Sequence, residues 1–383
     1  MSKIEELIQQ YCPNGVEFKK LGDVFNISRG RVMSKEYLRD NTGIYPVYSS
    51  QTANNGEIGK IGTYDFDGEY LTWTTDGANA GTIFYRNAKF SVTNVCGLLK
   101  ANSSEILSKF VYYILCVTMK RYVSSGMGNP KLMSNVVANI QIPVPPLPIQ
   151  QEIVSILDKF TQLEAELEAE LEARRTQYKF YRDQLLNFEG KDVEWKTLGE
   201  VGKICMCKRV MKNETKPEGD IPFYKIGTFG KEADAYISNE LYNDYLRRFN
   251  FPRVGEVLIS ASGTIGRTVI YDGKPAYFQD SNIVWISNDE SIVTNKFLFY
   301  YYKIVEWKTD GGTISRLYND NLAKTKIPIP PIAEQERIVG ILDKFDALVN
   351  DISVGLPAEI EARRKQYEHY RGKLLNFKEL SNG

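Results

Sequence analysis

Apolar and aromatic side chains recur at alternating spacings of three and four residues in two stretches of the chain, residues 148–192 and 332–383. This spacing lines one face of a helix and predicts two long amphipathic helices. The run LEAELEAELEARR in the first stretch is rich in strong helix formers. It favours one rod of about 40 residues, roughly 60 Å long. In the second stretch Pro357 lacks a backbone donor and predicts a break or kink near Leu356.

A narrow apolar stripe on so long a helix needs a partner helix, and each stretch is the partner of matching length for the other. We therefore predict an intramolecular antiparallel coiled coil. Residues beside the main stripe, such as Val154, Phe180 and Val339, offer a second surface for partner proteins. The residues predicted to form the coiled coil and to dock partners are Ile153, Leu157, Phe160, Tyr178, Tyr181, Leu185, Ile338, Leu342, Phe345, Tyr367, Tyr370 and Leu374.

The other two stretches, residues 1–147 and 193–331, are blocks of short apolar runs separated by Gly, Asn and Asp. Runs such as GEYLTWTTDG and GEVLISASG have the period of two that is typical of β-strands. Two segments within the blocks, residues 107–122 and 295–308, are predicted to be helical. The predicted fold class is α+β, with two mixed α/β domains that have curved sheets, separated by a pair of long antiparallel helices.

The chain is an internal duplication. Residues 141–161 match residues 326–346 without a gap, and 12 of the 17 positions of 172–188 are identical in 361–377. Between these matched pieces the second copy carries four extra residues. The blocks open alike, as VEFKKLGDV and VEWKTLGEV, but their interiors have little in common. A preserved frame with diverged blocks suggests one scaffold that carries two different specificities.

The composition is that of a globular protein, with 43% hydrophobic residues and a mean hydropathy of -0.34. No run approaches the ~20 apolar residues of a membrane helix, and the N-terminus lacks a secretory signal. We therefore expect an intracellular, cytoplasmic protein. The net charge is zero, yet residues 16–147 hold 14 Lys and Arg against 10 Asp and Glu, and residues 193–331 hold 19 against 17. This weakly basic balance is compatible with DNA contacts on the blocks.

Residues able to carry catalysis are scarce. The single histidine, His369, lies on the solvent side of a predicted helix, which excludes a Ser-His-Asp or Cys-His centre in either block. Cys205 and Cys207 form one C-x-C pair without a second pair and make a poor zinc site. The sequence also lacks a P-loop, a dinucleotide loop and the Asn/Asp-Pro-Pro-aromatic tetrad of adenine methyltransferases. We predict a non-catalytic chain that holds no cofactor and no metal.

Both blocks offer polar and basic loops interleaved with aromatic residues. Arg and Lys reach phosphates and guanine edges, and Asn and Gln pair with adenine. Asn, Thr and Gly also make ordinary turns, so each candidate has a structural alternative. The candidate DNA contacts in the first block are Arg29, Arg31, Lys35, Ser49, Ser50, Gln51, Asn54, Asn55, Thr74, Thr75 and Asn79. Those in the second block are Lys208, Arg209, Lys212, Lys225, Thr228, Arg247, Arg248, Ser262, Thr264 and Arg267.

The matched segments resemble the specificity subunit of type I restriction-modification enzymes. The resemblance is carried by Pro-Pro-x-x-x-Gln-x-x-Ile-x-x-x-Leu-Asp helix starts, RR-x-QY-x-x-YR-x-x-LLNF helix ends and the block openings, each present twice and in register. It spans nearly the whole chain. It implies two target recognition domains, residues 1–147 and 193–331, that each read half of a bipartite double-stranded DNA site. Spacer helices, residues 148–192 and 332–383, would set the gap between the halves.

The resemblance also implies partners. Two methyltransferase subunits, which use S-adenosylmethionine to methylate adenine N6, would dock on the helices. Two restriction and translocation subunits, which use ATP with Mg, would join that complex, and this chain would be its specificity subunit and not an enzyme. The residues alone leave two other interpretations open: a stand-alone DNA-binding regulator with two fused half-site readers, and a coiled-coil scaffold for proteins. Co-purification with a methyltransferase that carries the missing tetrad would separate the specificity subunit from the other two. Protection of a specific DNA half-site by either block alone would exclude the scaffold.

Overall fold

The computed structural model describes residues 3–124, 128–309 and 315–380. The chain divides into two compact units. Unit 1 consists of Met1–Leu167 and Ile360–Gly383, and unit 2 consists of Glu168–Glu359. Each unit therefore combines one block with parts of the spacer helices.

The block of unit 1 is built on a six-stranded sheet of order β2-β7-β5-β6-β3-β4, in which only β3 and β6 pair in parallel. β1 and β8 form a separate antiparallel pair. The elements are α1 (Lys3–Tyr11), β1 (Glu17–Lys20), α2 (Leu21–Val24), β2 (Phe25–Arg29), α3 (Lys35–Asp40), β3 (Thr42–Tyr48), β4 (Glu57–Ile61), β5 (Phe66–Thr74), β6 (Ile83–Val92), β7 (Cys96–Ala101), α4 (Ser108–Thr118), α5 (Ser134–Ala138) and β8 (Gln141–Val144).

The core of unit 1 lies between α4 and the sheet. Phe110 and Val111 of α4 are fully buried together with Trp73 of β5. The indole N–H of Trp73 donates to the carbonyl of Leu132 at 3.0 Å, which satisfies its one polar atom. The helix predicted over residues 107–122 is confirmed as α4 followed by a 3-10 turn.

The block of unit 2 divides its strands among three sheets, β10-β16-β13-β14, β12-β11-β15 and β17-β9. β11 and β15 pair in parallel, as β3 and β6 do in unit 1. The elements are β9 (Glu194–Thr197), α7 (Leu198–Val201), β10 (Gly202–Met206), β11 (Ile221–Tyr224), β12 (Tyr236–Ile237), α8 (Asn239–Arg248), β13 (Val257–Ser260), β14 (Thr268–Ile270), β15 (Tyr277–Phe278), β16 (Ile283–Asn288), α9 (Asn295–Tyr301), α10 (Asn319–Lys324) and β17 (Lys326–Ile329).

The helix predicted over residues 295–308 is wrong beyond Tyr301, where α9 ends. The chain turns there, and the ring of Trp307 packs 5.5 Å from that of buried Tyr302. The same indole lies against Gly266, at which a Cβ atom would come within 2.3 Å of the indole nitrogen. The chain therefore leaves the helix after Tyr301 because this places Trp307 in contact with Tyr302 and Gly266.

The spacer helices are α6 (Leu147–Leu185), α11 (Ile332–Asn350) and α12 (Leu356–Leu374). The break predicted near Leu356 is confirmed, and it occupies residues 351–355. Pro357 is the second residue of α12, where its missing N–H removes no helical hydrogen bond. The second spacer stretch, 332–383, is therefore two helices rather than one.

The same aromatic junction joins the spacer helices within each unit. In unit 1 the ring of Phe160 in α6 stacks on Tyr370 of α12 at 5.7 Å, and Glu164 pairs with Arg364 at 2.6 Å. These pairs run in opposite chain directions, as predicted for antiparallel helices. In unit 2 the matching residue, Phe345 of α11, stacks on α6 in the same way; its neighbours there are Tyr178 and Tyr181, at 6.3 and 5.6 Å.

Candidate nucleic-acid interface

Segments that follow strand ends meet at one edge of the sheet in unit 1. The N–H of Thr93 donates to the carbonyl of Tyr48 at 2.9 Å, and that of Thr75 donates to Val95 at 3.2 Å. The N–H of Leu132 donates to the carbonyl of Thr75 at 2.8 Å. These bonds join the segments into one surface, which we call the loop edge of unit 1. It comprises residues 29–35, 49–56, 74–82, 93–95 and 130–132.

Thr74 and Thr75 are fully buried and shape this loop edge. The Thr74 hydroxyl accepts a bond from the N–H of Thr82 at 3.0 Å and donates to the carbonyl of Asn79. The Thr75 hydroxyl donates to the carbonyl of Val95 at 2.9 Å. The Thr75 hydroxyl also lies 2.5 Å from the carboxylate of Asp76. Both hydroxyls are thus satisfied within the loop edge, and these two candidates stabilise its closed shape.

The exposed amides of the loop edge are those of Asn54, Asn55, Asn79 and Asn94, and Asn94 was missed among the candidates. Asn54 and Asn55 have φ values of 48° and 54°. Residues other than glycine rarely adopt this left-handed backbone conformation, and Asn is among those that adopt it most readily. These amides are free of burial and suited to base edges. The neighbouring candidates are half-buried and bonded within the edge: Ser49, Ser50 and Gln51.

The basic candidates of unit 1 lie beside the same edge. Arg29 is half-buried and its Nε donates to the Ser134 hydroxyl at 3.2 Å. Arg31 is exposed and forms an ion pair with Asp65 at 3.0 Å. Lys35 is exposed at the first residue of α3. Arg31 can exchange an exposed carboxylate for a phosphate at little cost, because exposed ion pairs contribute little.

Unit 2 repeats the hydrogen bonds that organise the edge. The N–H of Gln279 donates to Tyr224 at 2.9 Å, and that of Ala261 donates to Asn282 at 2.7 Å. The N–H of Leu317 donates to the carbonyl of Ala261 at 2.8 Å. Each bond has its counterpart in unit 1, although the sequences differ. The loop edge of unit 2 comprises residues 207–212, 225–231, 260–267, 279–282 and 315–317.

The loop after β13 has the design of the loop after β5. The Ser260 hydroxyl accepts a bond from the N–H of Arg267 at 2.8 Å and donates to the carbonyl of Thr264, as Thr74 does in its loop. Both loops depend on positive φ angles that favour glycine. These occur at Gly77 and Gly81 in unit 1 and at Gly263 and Gly266 in unit 2.

Ser262 and Thr264, two polar candidates in the same loop of unit 2, differ in their exposure to solvent. The hydroxyl of Ser262, nearly buried, donates to the Asn282 side-chain oxygen at 3.0 Å, which also accepts from Arg316 at 2.9 Å. Thr264 is exposed at the tip of the same loop. Thr228 donates to the carbonyl of Lys225, so it closes its own turn.

Three of the seven basic candidates of unit 2, namely Arg209, Lys225 and Arg248, form ion pairs. Arg209 pairs with Asp280 at 2.9 Å, and Lys225 pairs with Asp234 at 2.8 Å. Lys212 is exposed in a 3-10 turn. Because the pairs are solvent-accessible, phosphates can compete for the cations, and salt will weaken that competition.

The expectation that Arg247 and Arg248 lie in a loop is wrong, because they form the last turn of α8. Positive charge at a helix C-terminus is favoured by the helix dipole. The Nε of Arg247 donates to the carbonyl of Asn243 at 3.1 Å. The Arg248 guanidinium and the Lys208 ammonium both lie over the Phe249 ring, at 5.2 and 5.3 Å, which brings α8 to the loop edge of unit 2.

Lys131 and Arg316 belong to the loop edges and were missed among the candidates. Lys131 is exposed beside Asp76, with 3.8 Å between nitrogen and oxygen. Arg316 occupies the matching place, and each forms a β-bridge to the hairpin loop of its unit. The signal lies in the repeat, since extending the match of 141–161 with 326–346 backwards aligns Lys131-Leu with Arg316-Leu.

A fully buried glutamine fastens each block to its spacer helix. The amide of Gln150 in α6 donates to the carbonyls of Pro145 and Glu105, each at 2.7 Å, and accepts from the N–H of Leu107 at 2.8 Å. Gln335 in α11 makes the same three kinds of bond, and its N–H donor is Thr294 at 2.8 Å. We call these two sites the glutamine clamps.

An aspartate two turns further on repeats the attachment. Asp158 accepts from Lys109 at 2.7 Å and from the hydroxyl of Tyr113 at 2.5 Å. Asp343 accepts from the ammonium and hydroxyl of the matching residues of α9, Lys296 and Tyr300. Burial and the bond to Asp158 raise the pKa of Tyr113, so its hydroxyl stays protonated and donating at neutral pH.

The residues predicted to form the coiled coil and to dock partners differ in their exposure to solvent. Ile153 and Leu157 are buried in the core of unit 1, and Ile338 and Leu342 are likewise buried within unit 2, so none of the four is accessible to a partner. Leu185, Tyr367 and Leu374 are half-buried. The aromatic surface that remains open on α6 is led by Phe180, 56% exposed, with Tyr181, 39% exposed.

Within the described ranges, the structure contains no cluster of three or more His, Cys, Asp or Glu side chains that could hold a metal ion. None of the helices in that part of the chain combines the length and apolar character needed to cross a membrane.

A family model described as the type I restriction modification DNA specificity domain matches residues 13–173 and again residues 190–362. A Haemophilus influenzae protein named a "putative type I restriction enzyme specificity subunit" is 46% identical over 379 residues, covering 94% of this chain and 96% of its own. The EcoR124I/EcoR124II specificity subunit of Escherichia coli is 33% identical, covering 86% of this chain and 84% of its own.

Solved structures show the same fold. The S subunit of a type I restriction-modification system from M. genitalium superposes with a TM-score of 0.61 at 16% identity, covering 94% of this chain and 96% of that one. A chain from a study of complex assembly and conformational transition in the type I system superposes with a TM-score of 0.60 at 18% identity, covering 95% and 98%.

Proposed function

We propose, from the premise that this chain belongs to the type I restriction-modification DNA specificity family, that its two loop edges each read one half of a bipartite double-stranded DNA target. The observation that carries the proposal is the repeated set of edge hydrogen bonds. One backbone arrangement presents different exposed side chains in the two units, which is what two different half-sites require.

Direct readout falls to the exposed amides and cations. In unit 1 these are the amides of Asn54, Asn55, Asn79 and Asn94 and the cations of Lys35 and Lys131. In unit 2 they are led by Lys212, and the hydroxyl-bearing Thr264 has comparable exposure. Buried residues such as Thr74 keep the loops in place. The remaining exposed cations, in ion pairs or over Phe249, contact phosphates and fix the register on the duplex.

The spacer helices are the docking surface for two methyltransferase subunits that use S-adenosylmethionine. Exposed apolar side chains support this: Phe180 on α6, and Ile352 and Val354, 84% and 78% exposed, in the break between α11 and α12. Restriction and translocation subunits that use ATP with Mg join the same complex. The specificity subunit itself carries out no reaction.

Long-read methylome sequencing of the host with and without this gene tests the proposal. We expect one bipartite motif, two specific halves around a fixed gap, to lose adenine N6 methylation completely in the deletion strain. A methylome that does not change, or the loss of an uninterrupted motif, contradicts the proposed function. Purification of the tagged full-length chain with an adenine methyltransferase is the biochemical control.

The isolated chain should bind its target weakly and with strong salt dependence. The blocks carry only four and two more basic than acidic residues, and several of their cations are already paired. Raising salt from about 50 to about 200 mM should lower the affinity at least roughly tenfold, because phosphate contacts release counterions. Fluorescence anisotropy with target and scrambled duplexes measures this. Tight binding that resists salt would contradict it.

A further inference from the structure

Arg86 of β6 is an arginine buried in unit 1, with 4% of its surface exposed. Its guanidinium lies on the ring of Tyr48 at 3.6 Å and near that of Phe84 at 4.6 Å. It takes part in none of the ion pairs found among the residues that the structure describes. Burial lowers the pKa of Arg86, which is the sign of a cation held without a neutralising carboxylate.

The hydrogen bonds of Arg86 end at the loop edge. Its Nη2 donates to the carbonyl of Asn55 at 2.7 Å, and its Nε lies 3.4 Å from the hydroxyl of Thr72. The same Nη2 would be 3.3 Å from a Cβ atom at Gly56. Arg86 therefore supports from below the turn in which Asn54 and Asn55 take left-handed conformations.

Burying the guanidinium of Arg86 costs free energy, and filling this site does not require a cation. A buried cation without a carboxylate loses hydration, and an apolar side chain of similar size would fill the site without that loss. Two consecutive left-handed residues other than glycine add backbone strain. The bond to Asn55 and the contact with Tyr48 offset these costs only while the turn keeps its observed shape.

The position in unit 2 that corresponds to Arg86 holds a different residue. By strand register, Tyr271 occupies the place of Arg86, and a cavity of about 330 Å³ opens beside it. There the neighbouring loop is held by Arg267, whose Nη1 donates to the carbonyl of Phe229 at 2.9 Å. Each unit therefore uses an arginine to fix a carbonyl of its exposed loop, from a different place in the sheet.

We propose that Arg86 is a positioning residue for half-site recognition, which holds the Asn54–Asn55 turn in the shape that presents both amides to DNA. The inference rests on the proposed function and assigns the specificity of one half-site to a residue that DNA does not touch. Loss of Arg86 should free the turn, so that wrong bases are accepted in that half-site while the other half-site is read as before.

The test replaces the chromosomal gene with Arg86→Met, Arg86→Lys or Tyr85→Phe and compares long-read methylomes. Tyr85 is adjacent on β6 and its hydroxyl bonds to Glu69, away from the turn, so Tyr85→Phe is the matched control. For Arg86→Met we expect methylation at sites with one mismatch in a single half-site to rise about tenfold relative to the correct site, the loss of roughly one good base contact. Arg86→Lys should produce the same change to a smaller degree, because an ammonium cannot bond the turn and lie flat on Tyr48 together.

The outcomes are separable. An unchanged motif in both Arg86 variants overturns the inference. Equal relaxation of both half-sites also overturns it, because the effect would then not be confined to the Asn54–Asn55 turn. If Arg86→Met fails to accumulate, Arg86→Lys carries the test, with thermal unfolding of the purified chain as the check that it is folded. If deletion of the whole gene leaves the methylome unchanged, the proposed function fails instead.

Discussion

Replacing Gln150 with leucine should destabilise unit 1 by about 3 kcal/mol. The substitution keeps the volume but leaves the N–H of Leu107 and two carbonyls without the partner that the fully buried Gln150 provides. Each buried polar group that loses its partner costs about 1–3 kcal/mol. For a unit of this size the unfolding temperature should fall by roughly 6–12 °C, measured by calorimetry. The N–H of Leu107 should exchange its hydrogen about 100-fold faster.

The duplication supplies the controls. Gln335→Leu should accelerate exchange at Thr294 and leave Leu107 unchanged, because each clamp bonds only its own block. Gln151→Leu, an exposed neighbour in the same helix, should shift the unfolding temperature by less than about 2 °C. If the unfolding temperatures of both clamp variants also lie within about 2 °C of that of the parent chain, the glutamines do not attach the blocks to the helices as the hydrogen bonds indicate.

The frame was predictable because its signals are local and repeated. Apolar spacing located α6, α11 and α12, and Pro357 located the break, since both depend on residues close in sequence. The Pro-Pro-x-x-x-Gln motif was visible as well. Its role was not, because the partners of Gln150 include Glu105 and Leu107, more than 40 residues earlier in the chain.

The loop edges were only partly predictable. Composition pointed to segments that the structure brings together at the loop edges, but it could not tell a buried hydroxyl from an exposed amide, so Thr75 and Asn79 were grouped together. Arg86 was missed since nothing in a strand such as TIFYRNAKF marks one polar residue as buried. Its burial depends on Tyr48 and on the turn above it, both distant in sequence.

The likeness between the two blocks was hidden for a related reason. Their sequences diverge, yet the edges share backbone hydrogen bonds such as Thr93 to Tyr48 in unit 1 and Gln279 to Tyr224 in unit 2. A main-chain N–H and carbonyl are the same whichever side chain they carry. A scaffold held by such bonds keeps its shape while the exposed side chains change, which allows recognition to diverge without loss of the fold.

Inserting one four-residue helical unit after Leu167 should lengthen the gap of the target by about one base pair and leave both half-sites intact. Four residues add about 6 Å and turn the helix about 40° beyond one full turn, so the apolar stripe stays close to register. Leu167 aligns with Ile352, in the break between α11 and α12, where the second copy already carries four extra residues.

A two-residue insertion at the same site is the matched control. It turns the following residues by about 200° and moves Tyr178 away from Phe345, so methylation should be lost and not shifted. Methylome sequencing distinguishes the cases. If the four-residue insertion leaves the gap unchanged, the length of α6 does not set the distance between the half-sites. Altered half-sites would mean that the spacer takes part in base recognition, because the clamps fix each block to its own helix whatever the length between them.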